Sequence, residues 1–527
     1  MCGVITPIWA STPRATFGCD PYIEYLCLDN YLGKNFLTRF VNYYQVEMGH
    51  AAAPIDPNAS SFHRDGWPAT PQSTPPMPFT EWPYGATTPI GVSRPNSVDS
   101  PFMVSIGNTS TGKWLQKNHI QIYGWLNGGG NLSTNTVKPG GNAPIAYMYT
   151  PNTVQLDQMV LYIERVPDTV QTHYIDWGFR LSGIYGENYR YTTAYGIVSY
   201  QLLKNNTVNG YDFPMVYAEL YIPKIAEGLV FRFGRFISIP DIEAQLAPNN
   251  YMYSHSMTYT FDNYTNQGVV GSLAITKNFI VQLGLVEGSD TAFWNGGKRV
   301  VNPYPNPLYS NATFLKDPGA QPSAVACARF TWNNGNDTFY PCMNGINNGV
   351  WGYDNLQWYG FTFYHKFNDQ WHISYEIYSL HKNNVANLNN PTAVAAIAAG
   401  GTPFSPQYMP FNAPNAAQCH NPSALSCTAN VLATVAYINY QFSPLDNISF
   451  RPEFYNDKEG QRTGTKTRYL NFGLGWQHWL SPQIELRPEV DFDYALDKDA
   501  FNGNANAGIP PDKRYTLMGA MDIIMHF

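Results

Sequence analysis

The sequence predicts an all-β fold, a transmembrane antiparallel β-barrel of about fourteen strands, or sixteen, behind an irregular N-terminal segment. Residues 483–495 alternate with a period of two, so one strand face is charged and the other is apolar or aromatic. Segments of about ten residues with this alternation recur to the C-terminus, and short connections alternate with long ones.

Composition decides which environment the apolar face meets. In a soluble protein that face forms the core, whereas in an outer-membrane barrel it meets lipid and the charged face lines the lumen. Charged residues make up 13%, aromatic residues 15% with 38 Tyr, and the chain has 43 Gly and 40 Pro. The mean hydropathy of −0.30, without an apolar run of about 18 residues, excludes a helical membrane protein and leaves the barrel.

Fourteen segments are predicted as strands. They are residues 116–127, 154–165, 175–186, 215–222, 229–236, 269–276, 279–286, 356–367, 371–380, 431–442, 447–456, 469–479, 483–495 and 515–527. The long connections are residues 287–355, 381–430, 457–467 and 496–513. Short turns at a periplasmic rim and long loops at the other rim are typical of outer-membrane barrels. Sixteen strands would require residues 191–203 or 254–264 to contribute.

The last strand predicts the destination of the chain. Its alternation ends in Phe527, similar to the recognition signal of bacterial outer-membrane proteins, so we expect a bacterial outer-membrane location. The first residues, MCGVITPIWA, lack the basic region of a signal peptide. We therefore expect the leader to have been removed or to lie upstream of the given sequence.

Two domains are expected. Residues 1–112 are Pro-rich with helical spacing at residues 22–48, and are predicted to form a periplasmic extension or a plug; residues 113–527 form the barrel. Six of the seven cysteines form local pairs, which predict disulfides in external loops: Cys19 with Cys27, Cys327 with Cys342 and Cys419 with Cys427. Their spacings do not fit a metal site, and Cys2 is left over.

Charged residues on the polar strand faces are candidates to line the lumen. They are Asp176, Arg180, Glu219, Arg232, Glu376, Arg451, Glu453, Glu485, Arg487, Glu489, Asp491 and Asp493. Opposed acidic and basic rows would create a transverse field that orients solutes and sets ion preference. Alternatively, they form a salt-bridge lattice that braces the barrel or holds the N-terminal segment. Residues 485–493 carry four acids and one Arg, which favours a cation-attracting patch.

Several stretches resemble the OmpL-like β-barrel porin family of Gram-negative bacteria. They are GLVFRFGRFISIP (228–240), the segment 247–273, PFTEWPYG (78–85) and IYGWLNGGGNLS (122–133). The resemblance implies a porin fold with a long inward loop after the GRF strand end. The chain departs from the family pattern at Asn266 and Gln267, which precede the Gly-Val start of the next strand.

The predicted function is passive diffusion of small hydrophilic solutes or ions, with outer-membrane lipid as the surroundings. Hydrolase, zinc-protease and nucleotide-binding motifs are absent from the sequence, so an enzyme and a cofactor are not expected. The net charge of −7 without a basic stripe argues against nucleic acid. Alternatives are a plugged structural or interaction barrel whose loops 287–355 and 381–430 bind an extracellular protein, and a secreted soluble β-protein. The sequence does not decide whether the protein forms a homo-oligomer.

Overall fold

The structure is a computed structural model. It describes residues 29–45, 48, 100–194, 196–198, 201, 207–237, 241–263, 265–295, 320–347, 356–398, 416–443, 445–481, 483–504 and 508–527.

One sheet of eighteen strands closes on itself, because β1 (Gln121–Ser133) pairs antiparallel with β18 (Tyr515–His526). The other strands are β2 (Thr153–Arg165), β3 (Asp176–Gly186), β4 (Gly210–Asp212), β5 (Val216–Ile222), β6 (Leu229–Ile237), β7 (Thr265–Thr276), β8 (Phe279–Ser289), β9 (Ser323–Trp332), β10 (Asp337–Ile346), β11 (Gln357–Lys366), β12 (Trp371–Asn387), β13 (Ala416–Ala417), β14 (Ser426–Ser443), β15 (Asp446–Asp457), β16 (Thr467–Ser481) and β17 (Ile484–Ala495). β4 continues β5 along β3, and the two-residue β13 pairs in parallel with the end of β12. The wall therefore has sixteen strand positions.

The predicted fold class is confirmed, with sixteen strands instead of fourteen. The additional pair is β9 and β10, inside the segment 287–355 that was predicted to be one long loop. Residues 191–203 and 254–264 do not contribute wall strands in the part that the structure describes. Residues 257–260 form a helical turn within an inward-folded connection. The alternation of β9 is weak because alanines occupy its outward face, at Ala324, Ala326 and Ala328.

The start of the barrel also differs from the prediction. Residues 116 and 117, predicted to begin the first strand, end the helix Ser110–Lys117, and β1 begins at Gln121. Thr109 caps that helix by accepting a hydrogen bond from the Gly112 N–H at 3.0 Å. A capping residue satisfies an N–H that has no partner inside a helix, which favours a helix here over a strand.

Burial alternates along the strands in the sense expected of a membrane barrel. On β17, Arg487, Glu489 and Asp491 are buried, whereas Val490 and Phe492 are 51% and 37% exposed. A soluble protein would bury the apolar pair and expose the charges. The outward face is thus the lipid face, and the charged face points inward.

The two rims differ in their connections. Short turns such as residues 277–278 and 367–370 lie at one end, the short-turn rim, and the long connection between β12 and β14 lies at the other. Helix Pro391–Ala398 belongs to the latter.

Four N-terminal helices are described: α1 (Asp29–Leu32), α2 (Phe36–Gln45), α3 (Pro101–Ile106) and α4 (Ser110–Lys117). They lie at the short-turn rim. The Arg39 guanidinium donates to the Val104 carbonyl at 2.9 Å, and the Ser100 hydroxyl donates to the Ile122 carbonyl of β1 at 2.7 Å. The Tyr44 hydroxyl donates to the carbonyl of His526. None of the described helices is long and apolar enough to cross a membrane. Helices α1 and α2 lie within residues 22–48, the range predicted to be helical, whereas residues 22–28, 46 and 47 fall outside the described residues. That the N-terminal segment forms a plug stays a prediction.

Two disulfides are present among the described cysteines. Cys327 and Cys342 are bonded and are register partners on β9 and β10, so this bridge lies within the barrel wall and not in an external loop as predicted. Cys419, in the connection before β14, is bonded to Cys427 at the start of that strand. The predicted pair Cys19 and Cys27 lies outside the described residues.

Candidate functional site

Residues 241–263, between β6 and β7, form a loop inside the lumen, which we call the inward loop. Leu246, Met252 and Phe261 are fully buried in it. Met252 fits against two glycines of β16: a Cβ at position 475 would lie 2.7 Å from Met252 Cγ, and one at position 473 would lie 2.8 Å from Met252 Cε. These glycines leave the space that the loop side chain fills.

Carboxylates of the wall accept hydrogen bonds from the backbone of the inward loop. Glu489 accepts from the Ser254 N–H at 3.1 Å, and Glu376 accepts from the Ile242 N–H at 3.0 Å. Glu453 accepts from the Met257 N–H at 3.0 Å and from the Thr258 hydroxyl at 2.6 Å. The Met257 N–H opens the helical turn α5 (Met257–Thr260), where N–H groups have no partner within the helix. Charged acceptors of this kind make hydrogen bonds stronger than neutral ones.

Two arginines join the loop to the same wall. Arg451 donates to the Ser254 carbonyl and to the Ser254 hydroxyl, each at 2.8 Å, and pairs with Asp491 at 3.0 Å.

Arg487 donates to the carbonyls of Ala247 and Asn250 at 2.6 and 2.9 Å, and it pairs with Asp522. Each guanidinium therefore ties the loop backbone to a carboxylate of the barrel, and the loop is held along β15 to β18.

On β2 to β6 the arginines pair within the sheet instead. These buried or nearly buried pairs are Arg180 with Glu164 at 2.7 Å, Arg232 with Glu219 at 2.6 Å, Arg235 with Asp212 at 2.9 Å and Arg165 with Asp176 at 2.9 Å. The Arg232 guanidinium also lies 4.1 Å from the Tyr217 ring centre. Breaking such a pair leaves a buried charge, so these contacts brace the wall.

The structure divides the twelve predicted residues into three sets, all buried. Glu376, Arg451, Glu453, Arg487, Glu489 and Asp491 contact the inward loop or the arginines that hold it. Asp176, Arg180, Glu219 and Arg232 form pairs within the part of the wall made by β2 to β6. On β17, Glu485 lies 3.6 Å from His526, and Asp493 accepts from the Asn471 amide at 2.8 Å. Their role in permeation stays a prediction.

Sequence reasoning missed Arg235. Alternation from Arg232 places it on the lipid face, yet both Arg235 and Phe236 are buried. Gly234 adopts a φ of +133°, and a Cβ there would lie 2.2 Å from the Val216 carbonyl. Only glycine adopts this conformation without strain, and the Gly-Arg-Phe motif was the available signal. Sequence reasoning also missed Glu243, which accepts from the Ser256 N–H at 3.1 Å, and Arg462, which donates to the Phe261 carbonyl, since loops carry no alternation.

The charge balance beside the inward loop is acidic. Within the described ranges, Glu453, Glu489 and Asp493 form no ion pair with a basic side chain. Arg462 donates to the carbonyls of Phe261 and Asp262 and thus does not neutralise these acids. Burial lowers the pKa of His255, on the inward loop, well below its usual range, so this side chain is neutral.

A closed barrel with a lipid-facing exterior, one short-turn rim and a long loop folded into a charged lumen defines the porin class of membrane channels. The chain belongs to the family described as "Putative beta-barrel porin-2, OmpL-like", whose model matches residues 119–527. The family resemblance predicted from the sequence is confirmed.

Solved structures with a similar barrel include an anion-selective porin from Comamonas acidovorans and the outer membrane channel DcaP of Acinetobacter baumannii. The first is 10% identical with a TM-score of 0.45, covering 77% of this chain and 99% of that chain. The second is 8% identical with a TM-score of 0.45, covering 77% of this chain and 97% of that chain. No curated protein sequence matches the chain.

Proposed function

We propose that this protein is a passive diffusion channel of the bacterial outer membrane for small hydrophilic solutes and ions, and that it prefers cations. The observation that carries the preference is the excess of acidic groups on the inward faces of β15 and β17, beside the inward loop. Glu453, Glu489 and Asp493 have no basic partner among the described residues, while His255 is neutral. Acidic side chains that line a narrow lumen attract cations and repel anions.

The inward loop supplies selection by size. It extends from the end of β6 across to β15–β18, so it reduces the cross-section that remains for solutes. Charges beside the loop act on the solutes that pass through this narrowed lumen. Solutes pass down their gradient according to size and charge, without a chemical step.

Replacing two of the uncompensated acids should reduce the cation preference. In a planar bilayer under a KCl gradient, we expect the reversal potential of the wild-type channel to have the sign of the potassium equilibrium potential. The double variant Glu489→Gln, Asp493→Asn should move this potential toward zero, because two negative charges are removed from the lumen.

The matched control is Asp369→Asn, which removes an acid at the fully exposed short turn before β12. Its reversal potential should equal that of the wild type. An anion-preferring wild-type channel, or an equal shift in the control, would show that the lumen acids do not set the preference. Absence of current in folded protein would contradict the channel function itself.

A further inference from the structure

Three carboxylates meet where the inward loop joins the wall. Asp241 lies at the start of the loop, Asp262 near its end, and Glu376 on β12. Each offers a carboxylate oxygen within 4.8 Å of the oxygens offered by the other two. Three negative charges at this separation repel one another strongly in a buried site unless a proton or a cation is shared among them.

Buried oxygens at Glu376 and at the neighbouring Thr362 lack a hydrogen-bond partner. Its side chain is 1% exposed, and although Oε2 accepts the Ile242 N–H, Oε1 is buried without a hydrogen bond. The hydroxyl of Thr362, the direct register partner of Glu376 on β11, is also buried without a hydrogen bond. Buried polar atoms in native proteins nearly always have a hydrogen-bond partner or a ligand. The two oxygens therefore indicate that a ligand binds here.

Two of the three carboxylates lack a basic partner within the ranges that the structure describes. Neither Asp262 nor Glu376 forms an ion pair with Lys, Arg or His there. The arginine contact at the loop end is that of Arg462, whose guanidinium binds the carbonyl of Asp262 and not its carboxylate. Within those ranges the negative charges of Asp262 and Glu376 are therefore not compensated by a basic side chain. A bound cation would remove this electrostatic cost.

We propose that Asp241, Asp262 and Glu376 bind a divalent cation, Ca²⁺, which fastens both ends of the inward loop to β12. The donors are oxygens, which hard cations prefer, and the site has neither His nor Cys. Oxygens bound to one Ca²⁺ at about 2.3–2.6 Å lie up to about 5 Å apart, which fits the observed separation. Mg²⁺ is less suited, because it keeps several of its waters and seldom takes a site built from protein groups alone.

The cation would act together with the arginines. Arg451 and Arg487 hold the middle of the loop, at Ser254 and at Ala247 and Asn250, whereas the carboxylate cluster holds its two ends. A cation bound there would hold the loop in place whether or not the channel prefers cations.

Calcium titration calorimetry on the purified, EDTA-treated full chain in detergent tests the site. The wild type should bind one Ca²⁺ in a saturable manner, and Mg²⁺ at equal concentration should not displace it. Glu376→Gln should weaken binding at least about tenfold, since it removes a charged ligand that a calcium site depends on. Asp493→Asn, which replaces another buried lumen carboxylate outside the cluster, should bind like the wild type.

If Glu376→Gln fails to fold, as judged by heat-modifiable migration on a gel, Asp262→Asn on the loop replaces it in the same comparison. Absence of saturable wild-type binding up to about 10 mM Ca²⁺, above the range of the weakest protein calcium sites, would overturn the proposal in favour of shared protons. Equal loss of binding in Asp493→Asn would also overturn it, because the cation would then depend on general lumen charge.

Discussion

Arg451→Ala is expected to free the inward loop from the wall and to raise the single-channel conductance. The guanidinium makes two hydrogen bonds to Ser254 and an ion pair with Asp491 in a site that is 1% exposed. Removing it leaves Asp491 without this partner, and breaking a buried pair costs about 3–5 kcal/mol. Urea unfolding of the refolded barrel measures the cost, and planar bilayer recording measures the conductance.

Arg232→Ala is the matched control. It breaks a pair of similar burial with Glu219, but that pair joins β5 and β6 and does not contact the inward loop. We expect a comparable loss of stability with little change in conductance. If both variants conduct alike, the loop is not held in the lumen through Arg451.

Val490→Arg should destabilise the barrel by about 2–4 kcal/mol, the range for a cation placed on the lipid face near the bilayer midplane. Val490 is 51% exposed between the buried Glu489 and Asp491. An exposed apolar side chain between buried charges indicates that lipid surrounds the exterior of the barrel. The loss in unfolding free energy should be measured in lipid vesicles.

Val170→Arg provides the comparison, because Val170 is 49% exposed in the short connection between β2 and β3, outside the spanning strands. This variant should unfold within about 0.5 kcal/mol of the wild type, as surface substitutions usually do. Equal losses for the two variants would contradict the assignment of the lipid face.

Strong alternation made most of the wall predictable. β17 and β18 carry charge or apolar bulk at every second position, so the amino-acid pattern alone assigns their two faces. β9 and β10 were missed because one presents alanines to lipid and the other carries Pro341, Asn344 and Gly345, which are typical of loops. A lipid face needs only to be apolar, and small residues satisfy that condition with little periodic signal.

The arrangement of the site was harder to predict from the sequence than the wall was. The contact of Ser254 with Arg451 joins residues 197 positions apart, and local pattern carries no information about such pairs. The sequence indicated two uses for the lumen charges, a selective surface or a bracing lattice. The structure pairs many of them, and it leaves an acidic excess beside the loop. Which charges are paired and which are not depends on the inward loop. The alternation of residues could not predict where that loop lies.

A cysteine crosslink tests the position of the inward loop most directly. Met252→Cys combined with Gly475→Cys places two thiols where a Cβ at position 475 lies 2.7 Å from Met252 Cγ, within reach of a disulfide. Mild oxidation of the folded barrel should yield a linked peptide by mass spectrometry, and Met252→Cys alone should not. A folded double variant that yields no linked peptide would contradict a loop packed in the lumen against β16.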